Sequence, residues 1–358
     1  MKFNFQNIVF RTQFYPKKYN GKKLTIIMNK GEFLWAIGGK VENKYTVGDV
    51  TVYDIKKNEW YSSEKEQLSP MPHAVQGAGW TFFENKIFCF GGKTKPHSGC
   101  SKFVQVYNLV EDKWELYDNM SEPRSKLGKF YPVVENRYIY LFGGDNSQGP
   151  FSRVNWNWRY DLRTDTWDTE VADAPYTQSF PLPSYHNGWI YFFTGNTGTN
   201  PEQNKYKGAL NQRYDPEKDE WEVMKPCPIP VTDGSGDKWQ NEFHFIGGWN
   251  TNEEFYNPSS DNYKGPVKKQ HLVYNYDSDS WHFELELPGN WHHGGTRASK
   301  EFLWRFLGTI DEDIDIRSRN PHSNKIFKWD GQKWTEMKKA PIRKMNFGTI
   351  YTTIGPDL

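Results

Sequence analysis

The chain has 358 residues, of which 17% are aromatic and 25% are charged, and its formal net charge is +1 at pH 7. A balanced charge gives no broad positive field, so we expect no nucleic acid partner and no binding to an anionic membrane surface. Three cysteines, Cys89, Cys100 and Cys227, are too few and too irregularly spaced for a disulfide framework or a zinc site. The first residues lack the apolar core of a secretory signal, and no run approaches about 18 apolar residues, which favours a cytoplasmic protein.

From about residue 24 onward, short hydrophobic runs recur along the chain, and each run ends in a glycine mark. The six marks are Gly38-Gly39, Gly91-Gly92, Gly143-Gly144, Thr194-Gly195, Gly247-Gly248 and Leu307-Gly308. Successive marks lie 53, 52, 51, 53 and 60 residues apart. After each mark come an aromatic residue and then, seven positions later, a tryptophan, as in Tyr53/Trp60, Tyr107/Trp114, Tyr160/Trp167, Tyr214/Trp221, Tyr274/Trp281 and Phe327/Trp334. This period predicts an all-β, six-bladed β-propeller whose blades are four-stranded antiparallel sheets.

The stretch around the third mark illustrates the predicted blade. Residues 128–134 are expected to form the first strand, and residues 138–142 the second strand, which ends at the glycine mark. Residues 158–162 are the predicted third strand, and a polar turn separates them from Trp167, which opens the fourth. Small residues such as Gly128 and Gly348 recur in the predicted first strands, where blades converge on a central axis.

The doubled glycine, the Tyr-Asp pair and the tryptophan at a fixed distance together resemble the kelch repeat. The Tyr-Asp pair occurs at Tyr53-Asp54, Tyr160-Asp161 and Tyr214-Asp215. The resemblance covers essentially the whole chain and implies a kelch-type propeller. We therefore expect one domain over residues 1–358, with residues 1–23 as an N-terminal extension or a closing segment.

Two segments compete for the first-strand position of the first blade. Residues 341–352 resemble the C-terminal strand that commonly completes the first blade of six-bladed kelch propellers. Residues 24–28 precede the first glycine mark at the same distance. The sequence leaves open which of the two occupies the position.

The repeats differ in length between the second and third strands. The distance from the glycine mark to the signature aromatic residue is 15, 16 and 17 residues in the first three repeats and 20, 27 and 20 in the last three. Those loops emerge on one face of the propeller, and loops on a rigid scaffold are where binding and catalysis concentrate. We expect the functional site on this face, around the central channel.

Aromatic, charged and amide side chains in these loops and ahead of the first strands are the candidate binding residues. They are His73, Arg124, Trp249, Asn250, Glu253, Trp291, His292, Arg297, Asp311, Asp313, Arg317 and Arg343. Aromatic faces beside polar groups suit a sugar or another polar small molecule, and Trp, Tyr and Arg equally suit a peptide. Packing of the loops onto the propeller is the alternative role for the same side chains.

The sequence predicts neither a metal site nor a cofactor. Adjacent histidines at 292 and 293 point to opposite sides of an extended segment, and no Cys or His partner lies at a fixed spacing. The acidic run 311–315 lacks the glycine and terminal glutamate of a calcium-binding loop. A solvated acidic loop is the simpler interpretation.

Two functions remain compatible with these features. The first is a recognition scaffold, a monomer that binds a protein or peptide through the loop-rich face. The alternative is a small-molecule enzyme at the channel mouth, because some stand-alone kelch propellers, which this chain resembles in size, act as mutarotases or as lyase-like proteins. No linear catalytic motif is present, but propeller sites are assembled from several blades, so whether the chain is an enzyme stays open.

Overall fold

The computed structural model describes residues 16–19, 22–25, 27–42, 44–95, 99–117, 119–146, 152–197, 206–250, 269–311 and 322–357. Within these residues the chain forms antiparallel β-strands and two short 3-10 turns, Ser63–Lys65 and Lys207–Ala209. Six sheets succeed one another around a central channel as blades 1 to 6. The predicted all-β, six-bladed propeller is confirmed.

The strands of each blade are given in order from the channel to the rim, and the strands of blade 3 begin with the second one. They are Gly348–Asp357, Ile27–Ile37, Val50–Asp54 and Glu59–Ser62 in blade 1; Gly79–Phe83, Lys86–Phe90, Val104–Asn108 and Lys113–Tyr117 in blade 2; Tyr138–Phe142, Asn157–Asp161 and Thr166–Asp168 in blade 3; Leu182–His186, Trp189–Phe193, Asn211–Asp215 and Glu220–Val223 in blade 4; Ser235–Trp239, Glu242–Ile246, His271–Asn275 and Ser280–Phe283 in blade 5; and Gly295–Ala298, Leu303–Phe306, Ile326–Trp329 and Trp334–Glu336 in blade 6. A separate hairpin pairs Pro16–Tyr19 with Lys22–Thr25.

Short ribbons extend blades 4, 5 and 6 at the end where the glycine marks lie. They pair Gln178–Ser179 with Asn196–Thr197, Val231–Thr232 with Trp249–Asn250, and Asn290–His292 with Thr309–Asp311. Each ribbon joins the segment ahead of an inner strand to the segment behind a second strand. Both kinds of connection therefore leave the blades at the end that carries the six glycine marks, which we call the loop-rich face.

The C-terminal strand closes the propeller. Gly348–Asp357 pairs with Ile27–Ile37 and is the inner strand of blade 1, with a bulge between Lys30 and Phe33. Ile27–Ile37 is the second strand of that blade, and the preceding strand Lys22–Thr25 belongs to the separate hairpin. The position that the sequence left open thus belongs to the C-terminal segment, which unites the two ends of the chain in one sheet.

Blade 3 departs from the prediction, because residues 128–134 do not form a regular inner strand. The Tyr131 hydroxyl accepts a hydrogen bond from the Gly128 amide and donates one to the Phe142 carbonyl, at 3.1 and 3.0 Å. The Tyr131 amide donates to the Trp80 carbonyl of blade 2 at 2.6 Å, and Pro132 has no amide hydrogen to offer a ladder. A buried tyrosine side chain thus replaces part of the strand pairing in this blade.

The second glycine of each mark has a backbone conformation that other residues rarely adopt. Its φ lies between +93° and +99° in all six blades, whereas the first position has φ between +54° and +68°. The range of the first position is the left-handed helical region, which Thr194 and Leu307 adopt at an energetic cost. The marks can therefore lose their first glycine, as the fourth and sixth do, and all keep the second.

The signature tyrosine of the third strand fixes the turn that leads to the outer strand. In blades 1 to 5 its hydroxyl donates to the side chain five residues later, which belongs to a residue with positive φ. The Tyr214–Asp219 bond, for example, measures 2.5 Å. In blade 6 Phe327 has no hydroxyl, and the turn uses Gly331 at φ +92° instead. The loss of the tyrosine and the change of turn occur together.

The signature tryptophan connects neighbouring blades. In four blades its indole N–H donates to a backbone carbonyl just beyond the outer strand of the preceding blade. The bonds run from Trp60 to Lys338, from Trp114 to Ser69, from Trp221 to Ala172 and from Trp334 to Leu285, at 2.8, 3.0, 2.8 and 3.3 Å. The repeat thus records contacts between blades as well as strands within them.

Candidate functional site at the channel mouth

Six residues with left-handed backbone conformations, one from each blade, encircle the channel on the loop-rich face. They are Gly77, Lys126, Phe180, Asp233, His293 and Asn346, with φ between +52° and +61°. Each lies a few residues ahead of the innermost segment of its blade. We call these six residues the mouth ring.

Backbone hydrogen bonds join the mouth ring from blade to blade. The amides of Gly77, Leu127, Phe180, His293 and Asn346 donate to the carbonyls of Asn346, Gly77, Lys126, Asp233 and His293, at 3.1, 3.1, 2.5, 2.8 and 3.0 Å respectively. Five of the six places where the mouth ring passes from one blade to the next therefore have a backbone hydrogen bond among the described residues. Because the main chain makes these bonds, the mouth keeps its shape whichever side chains it carries.

The side chains of the mouth ring are chemically varied. The half-buried Phe180 ring reaches towards blade 2, where a Cβ atom added to Gly77 would lie 3.4 Å from it. Asp233 Oδ1 and His293 Nδ1 are 3.5 Å apart, and their side chains are 15% and 17% exposed. Lys126 pairs with Asp145 at 2.5 Å. The ring thus offers an aromatic face, an acid–imidazole pair and a paired ammonium group.

Lys129 crosses the channel beneath the mouth ring. Its Nζ donates to the carbonyls of Gly294 and Gly234, at 2.6 and 3.3 Å, so a residue of blade 3 is tied to blades 6 and 5. The channel cavity that Lys129 lines has room for about one water molecule. This cavity is therefore too small for a larger ligand.

Lys129, His292 and His293 lie in largely buried surroundings, and burial disfavours the protonated form of each side chain. Burial and the nearby Arg305 lower the pKa of Lys129 to about 7, against the raising effect of Asp233. Burial lowers the pKa of His293 to about 4 and that of His292 well below the usual range of a histidine. The two imidazoles are accordingly neutral at pH 7, and the lysine is close to its titration point.

Three predicted site residues, Trp249, Trp291 and His292, lie together between blades 5 and 6. The rings of Trp249 and His292 are 4.2 Å apart between centroids. His292 is 2% exposed, and neither of its ring nitrogens has a hydrogen-bond partner. Trp291 is fully buried and meets Phe327 edge-on at 5.5 Å between centroids. Of these three, Trp249 alone is partly exposed.

Arg297 lies in the channel wall, where it links blades. Its Nε donates to the Thr349 carbonyl of blade 1 at 2.6 Å, and its Nη1 is 3.2 Å from Asp237 Oδ2 of blade 5. The guanidinium carbon also lies 4.0 Å from the centre of the Phe130 ring. Four blades therefore meet at this one side chain.

The remaining described candidates lie at the edge of the site or away from it. Arg124 is fully buried, donates to the Trp156 carbonyl at 3.1 Å and stacks on Trp158 with its guanidinium carbon 3.9 Å from the ring centre. Arg343 is exposed, whereas its neighbour Lys344 is fully buried. His73 is half-buried ahead of blade 2.

Several candidates fall outside the described residues. They are Glu253, Asp313 and Arg317, together with the side chains of Asn250 and Asp311, whose backbones belong to ribbon strands. Among the described residues, no three His, Cys, Asp or Glu side chains are grouped in a way that could hold a metal ion. No helix within the described ranges is long and apolar enough to cross a membrane.

Sequence reasoning missed most of the mouth ring and the two buried lysines. No feature of the sequence around Lys129 distinguishes it from other strand residues. Lys344 follows Arg343, which was the predicted candidate. Lys344 donates to Asp49 Oδ2 at 2.7 Å and to the Ala36 carbonyl at 2.9 Å. A glycine or asparagine in the ring is a turn signal, but Lys126 and Phe180 carry none.

Comparison with known proteins agrees with this architecture. The profile of the Attractin/LZTR1 beta-propeller family matches residues 34–302. Kelch-like protein 41b of Danio rerio is 29% identical over 147 residues, which are 40% of this chain and 22% of that protein.

Two further relatives match other lengths of the chain. Kelch-like protein 40 of Xenopus tropicalis is 27% identical over 156 residues, 42% of this chain and 24% of that protein. Alpha-scruin of Limulus polyphemus is 24% identical over 230 residues, 59% of this chain and 23% of that protein. The matched regions span less than a quarter of the length of these curated relatives.

Proposed function

Because the chain belongs to the Attractin/LZTR1 β-propeller family, we propose that it is a recognition scaffold that binds a protein or peptide partner over the channel mouth. The observation that carries this proposal is a mouth whose backbone is hydrogen-bonded at five of its six blade junctions, above a cavity that holds about one water molecule. The similarity to kelch-like proteins supports the same use.

The small size of the channel cavity favours a partner that lies on the surface. The cavity beneath the ring holds about one water molecule, whereas a pocket for a small organic ligand usually encloses several hundred Å³. A protein partner needs no such pocket, since it gains affinity from a few anchoring side chains on a broad face. Phe180 and Trp249 are two of the partly exposed aromatic residues on this face.

The rigid mouth ring supports recognition for an energetic reason. A binding surface that must be ordered during association spends part of its binding free energy on that ordering. Here the backbone bonds between Gly77, Asn346, His293 and Asp233 order the surface in advance. The differing side chains of the ring can then select a partner.

One observation supports the alternative, a small polar ligand bound or transformed at the mouth. Asp233 and His293 form an acid–imidazole pair directly above Lys129, and three such groups could serve as proton donors and acceptors. The experiment below separates the two functions.

A pair of surface variants tests the recognition function. The mouth variant combines Phe180→Ser with His293→Ser, and the control combines Asn136→Ser with Glu217→Ser in exposed hairpin turns at the opposite end of the blades. Partners captured by the wild-type chain are identified by mass spectrometry, purified and titrated against each protein. We expect the mouth variant to bind at least tenfold more weakly and the control to bind as the wild type does.

Equal affinity of the mouth variant and the wild type would overturn the proposal. So would a failure to capture any partner combined with a sugar or carboxylate that raises the melting temperature of the wild type but not of the mouth variant. The second outcome would establish the small-molecule alternative. Circular dichroism spectra of both variants confirm that they are folded before the titrations are compared.

We also propose a reducing, intracellular compartment for this scaffold and a monomeric state. Cys89 and Cys227 are buried, and Cys100 hydrogen-bonds with Ser125 and Asp145. Cysteine thiols stay reduced in the cytosol, where disulfides are rare.

A further inference from the structure

The channel cavity beneath the mouth ring is lined by an unusual set of polar groups. Two buried cationic residues, Lys129 and Arg297, line it together with the hydroxyl-bearing Ser235, Thr296 and Thr349, and apolar Phe130, Leu182 and Pro183 complete the lining. Lys129 is 7% exposed and Arg297 is 3% exposed. The cavity belongs to the propeller axis and is separate from the partner surface proposed above.

Hydrogen-bond donors remain available at this cavity. Lys129 uses two of its three N–H groups on the carbonyls of Gly294 and Gly234. The Thr349 hydroxyl accepts from Arg297 Nη2 at 2.9 Å, which leaves its own hydrogen free to donate. The Ser235 and Thr296 hydroxyls are 2.6 Å apart, so one hydrogen serves that bond and the other is free.

The charge around the cavity is not balanced. Arg305 and Arg297 lie close enough to Lys129 for their positive charges to lower its pKa further, beyond the effect of burial. Two carboxylates face them: Asp237, 3.2 Å from Arg297, and Asp233, 3.5 Å from His293. The imidazoles of His292 and His293 also face Lys129 and are neutral at pH 7. With all three cations protonated, the surroundings of the cavity carry one unpaired positive charge.

We propose that this cavity binds a single halide ion, such as chloride, between the Lys129 ammonium group and the hydroxyl groups of the inner strands. A monatomic anion fits a space for about one water molecule, whereas phosphate, sulfate and carboxylate groups are too large. The anion balances the unpaired charge, and buried charge is tolerated when it is paired and hydrogen-bonded.

The proposal has a consequence for protonation. Without an anion, burial and two arginines lower the pKa of Lys129 to about 7, so the lysine loses its proton near neutral pH. A bound anion favours the charged form, so binding keeps the proton in place. Chloride should accordingly stabilise the protein more at pH 6.5 than at pH 8.5, because binding above the pKa requires proton uptake.

Thermal unfolding of the full chain in sodium chloride and in sodium gluconate at equal ionic strength tests the site. We expect chloride to raise the melting temperature by about 3 °C once it is in hundredfold excess over its dissociation constant. The variant Lys129→Met should lose this difference between the salts, whatever its own melting temperature. The control Lys126→Met removes a lysine of the mouth ring and should keep the difference.

Crystals soaked in sodium bromide give a second readout that does not depend on the variants. An anomalous peak within hydrogen-bond distance of Lys129 Nζ is expected. Equal melting temperatures of the wild type in the two salts, a chloride effect that persists in Lys129→Met, or the absence of a bromide peak in the cavity would each overturn the proposal.

Discussion

At the scale of single residues, the repeat signature consists of side chains that complete hydrogen bonds of the backbone. The tyrosine hydroxyl fixes a turn within its own blade, as Tyr214 does with Asp219. The tryptophan indole binds a carbonyl of the preceding blade, as Trp221 does with Ala172. Trp167, in contrast, has a buried indole nitrogen without a partner. The signature tryptophan therefore contributes different amounts to the free energy of unfolding in different blades.

This difference predicts unequal effects of one substitution. Trp221→Phe loses both ring area and the bond to Ala172, whereas Trp167→Phe loses ring area alone. We expect Trp221→Phe to lower the free energy of unfolding by about 1 kcal/mol more than Trp167→Phe, which is the usual net value of one hydrogen bond. Urea denaturation of both variants measures the difference. Equal losses would show that the inter-blade bond contributes nothing to stability.

At the scale of elements, the inner strands are packed too closely for side chains at some positions. A Cβ atom added to Gly348 in the inner strand of blade 1 would lie 2.3 Å from the Trp80 ring of blade 2. In blade 3 the innermost segment does not form a regular strand, and the Tyr131 hydroxyl bridges it to the next strand. The inner strands thus differ more between blades than the repeat suggests.

Close packing at Gly348 predicts a cost for any side chain there. Gly348→Val should lower the free energy of unfolding by roughly 1–3 kcal/mol or more, because Trp80 must move to make room. The matched control is Thr353→Val, an exposed site in the same strand, which should change stability by less than about 0.5 kcal/mol. A tolerated valine at 348 in the same denaturation assay would show that blades 1 and 2 are loosely packed.

At the scale of the whole molecule, the propeller buries several histidines in neutral form. His244 and His271 share a 2.8 Å hydrogen bond inside blade 5. Burial lowers the pKa of His244 to about 4 and that of His271 well below its usual range. His292 and His293 at the mouth are shifted in the same direction by the same cause.

These shifts predict that the protein loses stability in mild acid. Between about pH 6.5 and pH 4 the unfolded chain binds protons at histidines that the folded chain keeps neutral, so the free energy of unfolding falls as the pH falls. The slope is up to about 1.4 kcal/mol per pH unit for each such histidine. Urea midpoints at pH 7.5, 6 and 5 measure this slope.

A variant assigns the slope to the buried pair. His244→Phe should flatten the pH dependence below pH 6.5, because it removes one of the two hydrogen-bonded imidazoles whose pKa burial lowers. A wild-type stability that stays constant from pH 7.5 to pH 5 would contradict the prediction.

The sequence predicted the blades well and the site incompletely, for identifiable reasons. The glycine marks and the Tyr and Trp signature have fixed local geometry, so they position every second, third and outer strand. The prediction of a regular strand at residues 128–134 was wrong. The Tyr131 hydroxyl donates a hydrogen bond to the Phe142 carbonyl of the next strand, and the sequence alone does not reveal this contact. The sequence indicated Arg343 rather than the buried Lys344, because neighbouring residues in a sequence do not show which of two adjacent cationic side chains is buried.

By itself, the sequence determined the number of blades, their order and the face on which the long loops emerge. These features follow from a local period, since each turn and each glycine with φ near +95° is specified by adjacent residues. The tertiary structure alone decided that Gly348–Asp357 closes blade 1, that the mouth ring is bonded around the axis, and that Lys129 meets Gly234 and Gly294 across the channel. Such contacts join residues far apart in the chain, and only closure of the ring brings them together.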